Sequence, residues 1–208
     1  MKTTGMFGAI AVAAVVVVIV MNGPLLLGQD SPAPVGLPTQ VSQNVSNGLR
    51  LDLSINGSTV GVDQPLVVGV DSFNPGGAYL NVTSDKSWAV QGLRINSCYT
   101  SVFPFGIALY QGSYTLGNVS AGKQLQIFPN VPCPLFIRLV TGYYFSPDSS
   151  NATVLPGSGP ATRMGTTVTI SGVYTGQNGS AQPLSPGMYT VVAGDEWGTL
   201  AFLRFQVP

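Results

Sequence analysis

Residues 48–57 read GLRLDLSING, and their apolar side chains fall on every second position. Leu49, Leu51, Leu53 and Ile55 share one side of an extended chain, and Arg50, Asp52 and Ser54 share the other. A strand has that period and a helix does not. The stretch therefore predicts a half-buried strand running into an Asn-Gly turn. The same grammar recurs. QPLVVGVDSF is a second strand, stopped by Asn74-Pro75-Gly76. LNVTS, GIALYQ, QLQIF, LFIRLVTGYYF and TTVTISGVYTG follow, with Val168, Ile170 and Val173 of the last facing inward. Residues 187–207, GMYTVVAGDEWGTLAFLRFQV, set two apolar runs around Gly-Asp-Glu-Trp-Gly and predict a closing hairpin. Every break carries Gly, Pro or Asn, and the body shows no apolar stripe of helical period. Strands with one apolar face must cover each other, so the expected fold is an all-β antiparallel sandwich.

Charge excludes several functions. Only 8% of the 208 residues are charged, and eight basic side chains cancel eight acidic ones. Nucleic-acid phosphates need clustered Lys and Arg, so no nucleic-acid partner is expected. The chain has no histidine. That removes the commonest general base and the commonest metal ligand together, including those of a copper electron-transfer site. No metal and no cofactor are expected. A serine nucleophile would need Lys86 or Lys123 as its base, and neither sits in a Ser-x-x-Lys motif. The glycine-rich stretches do not fit a phosphate loop. A surface with so few titrating groups changes little with pH, which suits an acidic or hot habitat.

The N-terminal region is uncharged from Thr3 to Gln29, and 6–27 is apolar enough to span a bilayer. Lys2 is the only cation before it, which predicts a cytoplasmic N-terminus and an extracytoplasmic body. Residues 1–28 are expected to be a transmembrane anchor. A cleaved signal peptide and a pilin-type leader cut after Gly5 are the alternatives. Residues 29–47 carry Pro32, Pro34 and Pro38 and read as an extended Pro/Ser-rich stalk. Residues 48–208 form the body.

Two features fit a body outside the cell. Cys98 and Cys133 are the only cysteines, and one disulfide between them would stabilise by about 4 kcal/mol. Two buried free thiols are the other reading. Asn-x-Ser/Thr occurs at Asn44, Asn56, Asn81, Asn118, Asn151 and Asn178. Eleven asparagines in a chain this rich in Ser and Thr would give far fewer than these six by chance. All six are candidate glycosylation sites. Asn-Gly-Ser is also good turn chemistry, which covers Asn56 and Asn178.

Asp195 and Glu196 stand side by side with Trp197 after them. A glycosidase needs two carboxylates facing one another about 5–9 Å apart, with Asp71, Asp85 or Asp148 as conceivable partners. Nothing in the spacing demands that. A tight turn with both acids in water is the expected arrangement, and no catalytic residue is assigned. Trp88 and Trp197 are candidate sugar-stacking contacts, against a plain packing role. FPFG, residues 103–106, reads as a proline-stiffened bend, against a protein-binding loop.

Two stretches resemble immunoglobulin-like domains. LDLSINGSTVGVDQPLVVGVDSFNPG resembles their first strands, with VDQPL crossing between sheets. PLSPGMYTVVAGDEWGTLAFLRFQV resembles their last hairpin, where Leu184, Gly187 and Tyr189 match the tyrosine-corner pattern. The segment from Trp88 to Pro160 has no such match and reads as an elaborated middle. FPFGIALYQGSYTLGNVS, PCPLFIRLVTGYYF and PGMYTVVAGDEWG together resemble a set of uncharacterised archaeal membrane-anchored surface proteins. That resemblance implies a cell-surface location and an Ig-like β body, and no activity. The expected function is structural, adhesive or protein-binding, without catalysis. The expected partners are the membrane, other envelope proteins or glycans. A glycan- or ligand-binding module, a homo-oligomeric filament subunit that pairs 35–50 with a neighbour's sheet edge, and an accessory subunit of a membrane complex are the alternatives.

Overall fold

The computed structural model describes residues 36–97, 103–131, 140–147, 163–175 and 180–208. The expected anchor over 1–28, both cysteines, Asp148, Asn151 and Asn178 lie outside them. Among the described residues no helix is long and apolar enough to cross a membrane. The described chain is all-β, with antiparallel sheets and one short helical turn at Val119–Ala121.

The first strands are β1 (Gln40–Asn44), β2 (Arg50–Ile55) and β3 (Leu66–Phe73). In β2 the alternation is obeyed: Leu51, Leu53 and Ile55 are buried, while Arg50, Asp52 and Ser54 are half-buried. Leu53 pairs with Val70 and Ile55 with Val68, so apolar neighbours share the inward face. Residues 40–44, expected within the stalk, instead form β1, which pairs with β2 along its whole length. The prolines behind the stalk reading are Pro32, Pro34 and Pro38, and 40–44 contains none. Between β2 and β3 the chain changes sheets. Val60 N donates to Gln206 O and Gln206 N to Ser58 O, a short parallel contact with the other sheet. Asn56 ties the two ends of this excursion together, accepting from Val67 N at 3.0 Å and donating to Pro65 O at 3.2 Å.

Next come β4 (Leu80–Thr83), β5 (Phe105–Gln111), β6 (Gln124–Leu125), β7 (Gly142–Phe145), β8 (Arg163–Ile170), β9 (Val173–Tyr174), β10 (Ala181–Gln182), β11 (Gly187–Asp195) and β12 (Leu200–Val207). One four-stranded sheet has the order β1-β2-β3-β8, and the other β12-β11-β5-β6. Their inner faces share one core. Leu51, Leu53, Val68, Val70, Val168 and Ile170 meet Phe105, Ile107, Leu109, Val191, Leu203 and Phe205. Each such side chain contributes roughly 2 kcal/mol when taken out of water.

The second sheet buries its outer face as well. Ala108, Tyr110, Val192 and Leu200 form a separate apolar cluster with Val90 and Val119, which the connecting segments bring over the sheet. GIALYQ therefore lacks the alternation of a one-sided strand. The segment around Arg94 also runs beside β5, exchanging 2.8 and 3.0 Å hydrogen bonds with Ile107. Its approach is close: a Cβ on Gly106 would stand 2.7 Å from Arg94 N and from Leu93 C.

β4 and β7 make a two-stranded ribbon that turns Val82, Tyr143 and Phe145 inward and Asn81, Thr83 and Tyr144 outward. Asn74, fully buried, anchors it: its amide nitrogen donates to Ala78 O at 3.0 Å and Ser146 O at 2.8 Å.

Candidate functional site

The tip of the β11–β12 hairpin is a three-residue loop, Glu196-Trp197-Gly198, closed by Asp195 N donating to Thr199 O at 3.1 Å. Gly198 takes φ 88°, the left-handed conformation that ends such a loop. Asp195 Oδ1 accepts from Trp197 N at 3.0 Å and Thr199 N at 2.8 Å. The carboxylate thus holds two loop amides that no ladder bond uses, the local bonding that makes Asp a turn residue.

The loop is not in water, as expected from sequence, but in the protein. Asp195 is 0% exposed and Glu196 4%. The reason is the ribbon and the segment 84–95, which fold over the tip. Glu196 N donates to Pro104 O at 2.9 Å, and Ser87 N to Glu196 O at 2.7 Å, so the entry to β5 and the segment 84–95 both grip the loop backbone. Glu196 Oε2 accepts from Tyr143 Oη at 3.4 Å. Asp195 Oδ2, Glu196 Oε1 and Ser84 Oγ are buried with no partner of full hydrogen-bond geometry.

Burial pushes the Asp195 carboxyl above the ordinary carboxylate range, and the amides and hydroxyl of the loop at Thr199, Trp197 and Gly198 offset only part of it. Burial likewise raises Glu196, against the hydroxyls of Ser84 and Tyr143 and the Asp85 backbone, and the neighbouring Asp195 charge adds to the rise. Tyr143 is raised by burial and by Glu196. Two adjacent acids that favour protons could in principle exchange them. The shallow groove beside them, about 390 Å³, is lined by Asn47, Leu80, Thr83, Ser84, Asp85 and Trp197, among others, and by neither acid.

Trp197 folds back onto the body. Its Nε1 donates to Thr83 O at 2.9 Å, and its ring meets Tyr143 edge-on at 5.9 Å and 78°. It remains half-buried and forms one wall of that groove. Trp88 lies in the segment 84–95, also half-buried, and its carbonyl accepts from Gln91 Nε2 at 3.5 Å. The two tryptophans share no ring contact. FPFG turns inward: Pro104 and Phe105 are buried, and Phe103 stacks tilted on Phe105 at 5.2 Å. Asp71 sits on β3 opposite Asp52, and Asp85 is exposed and lines the groove. Among the described residues no three His, Cys, Asp or Glu side chains cluster as a metal site.

Tyr143 and Tyr144 belong to the aromatic supply that the sequence offers for stacking beside the tryptophans, and the period of two in Gly-Tyr-Tyr-Phe puts one tyrosine in and one out. Sequence reasoning passed over Tyr79, which stacks on Tyr144 in the open at 5.4 Å and 4°. Of the sequons, Asn44, Asn56, Asn81 and Asn118 are all exposed. No protein-family model matches the chain, and no curated protein matches it.

Proposed function

We propose that this chain is a membrane-anchored, glycosylated cell-surface protein of archaeal type. Its Ig-like body works by structural, adhesive or protein-binding contact and not by catalysis. The observation that carries the reading is the fate of Asp195 and Glu196. The chain's best candidate for acid–base chemistry is spent on building a buried hairpin tip, with Asp195 Oδ1 committed to two backbone amides.

Support for the Ig-like description comes from connectivity. β2, β3 and β8 stand together, β12, β11 and β5 stand together, and the chain after β2 touches β12 in parallel. Tyr189 Oη donates to Ser185 O at 2.8 Å, the bond of a tyrosine corner at the start of the closing hairpin. The apolar 6–27 segment, the Pro/Ser-rich stalk, the even pair of cysteines and the sequons are the sequence features that support the location.

A ligand-binding module is the second reading, favoured by the groove where Trp197, Thr83 and Asp85 meet. Protease treatment of intact cells tests the main proposal. The body is expected to be digested from outside while a short N-terminal piece stays with the membrane. Protection of the body until lysis would contradict it.

A further inference from the structure

We infer that Asn81 is an N-glycosylation site whose first sugar lies against the Tyr79–Tyr144 stack, a proposal that rests on the cell-surface reading above. The sequon Asn81-Val82-Thr83 lies in β4, so Asn81 and Thr83 project from one face and Val82 from the other. Asn81 and Thr83 are exposed, and Val82 is buried. A transferase can therefore reach the acceptor amide and the hydroxyl together without unfolding the strand.

The carboxamides of the described sequons differ in what they already do. Asn56 uses both its oxygen and its nitrogen to hold the β2–β3 excursion. Asn118 Oδ1 accepts from Thr115 N at 2.7 Å. Asn44 and Asn81 make no side-chain hydrogen bond among the described residues, and across the ladder Asn44 faces Arg50 while Asn81 faces an aromatic. Tyr144 pairs directly across from it, and Tyr79, just ahead of β4, stacks on Tyr144. Cross-strand neighbours in such a pair have Cβ atoms about 5 Å apart. The two rings are 61% and 42% exposed, large apolar surface left open on a chain with little charge to keep it wet.

A pyranose with equatorial hydroxyls presents a flat face of axial C–H bonds. Those hydrogens carry partial positive charge and the tyrosine face partial negative charge, so the sugar covers the ring as another aromatic edge would. The linkage forms when the Asn81 carboxamide nitrogen displaces a lipid-linked phosphate from the anomeric carbon of a glycosyl donor. A C–N bond forms, a C–O bond breaks, the phosphate leaves with the electron pair, and one amide proton passes to the transferase's base.

The test uses full-length protein from its own membranes, mapped by glycopeptide mass spectrometry, with melting temperatures of Tyr144→Ala and Tyr144→Phe in the glycosylated and Asn81→Gln chains. Sugar is expected on Asn81 and less of it on Asn56. Tyr144→Ala should lower the melting temperature more in the glycosylated chain than in Asn81→Gln, and Tyr144→Phe should restore the difference. Bare Asn81, or equal losses in both backgrounds, would overturn the inference. So would free saccharide binding at Tyr79 and Tyr144 of native protein whose Asn81 is bare, since the stack would then serve an external glycan. A bare Asn81 on a body still digested from outside the cell leaves the surface reading standing.

Discussion

Tyr143 Oη donates a hydrogen bond to Glu196 Oε2 at 3.4 Å, joining residues 53 positions apart in a buried setting. The bond ties the β4–β7 ribbon to the tip of the closing hairpin. Trp197 reinforces it from the other side, with its edge contact to Tyr143 and its bond to Thr83 O.

Removing the Tyr143 hydroxyl takes away the one hydrogen bond of full geometry that the Glu196 carboxylate makes among the described residues. Tyr143→Phe is expected to cost about 1–3 kcal/mol, the range for an orphaned buried polar group. In a double-mutant cycle with Glu196→Gln, the two losses should be clearly non-additive by denaturant titration. Additive losses would mean that the two side chains do not interact.

Stability should rise as pH falls. Burial holds both Asp195 and Glu196 above the ordinary carboxylate range, so the folded chain binds protons more tightly than the unfolded one. Their contribution is complete below about pH 4, where unfolded carboxyls also protonate, and is lost as pH rises through the folded values. Melting temperature measured from acid to neutral pH should therefore decline across that window. A curve that climbs toward neutral pH would reverse the assignment.

Asp195 can be separated into its charge and its turn bonds. Asp195→Asn keeps the oxygen that accepts from Trp197 N and Thr199 N and replaces the unpartnered Oδ2. It should be more stable than the natural chain at neutral pH and no more stable in acid. Asp195→Ala strands both amides and should cost about 1–3 kcal/mol in acid and less at neutral pH, where it also removes the buried charge. Chemical denaturation at two pH values distinguishes them.

Much of the architecture was legible because burial is one-sided in the first sheet. Leu51, Leu53 and Ile55 announce their face, and Tyr189 announces its corner bond. The hairpin around Gly-Asp-Glu-Trp-Gly was legible for another reason, a turn segment set between two apolar runs. The surroundings of that turn were not. Nothing local to Asp195 and Glu196 says that 84–95 and the ribbon will cover them, since those contacts come from about 50 to 110 residues away in sequence. β1 was hidden by composition: QVSQN carries little apolar patterning, as suits an edge strand that is mostly exposed. β5 was seen as a strand, but its two-sided burial depends on Val90 and Val119 arriving from loops.

Gly106 marks where one such loop meets the sheet. Gly106→Ala would drive a methyl group into the Leu93–Arg94 backbone at 2.7 Å, which side-chain motion cannot relieve. The expected loss is about 1–3 kcal/mol. Hydrogen exchange should show it first at the Arg94 and Ile107 amides, which bond each other's carbonyls. Unchanged protection there would contradict the close approach.

The central claim is a protein held at the membrane with a modified body outside it. Intact-mass spectrometry of the chain extracted from its own membranes tests that most directly. The account predicts a retained N-terminal segment and a mass above the 21.6 kDa of the bare polypeptide by whole sugar increments. A chain beginning near residue 29 with no added mass would contradict it.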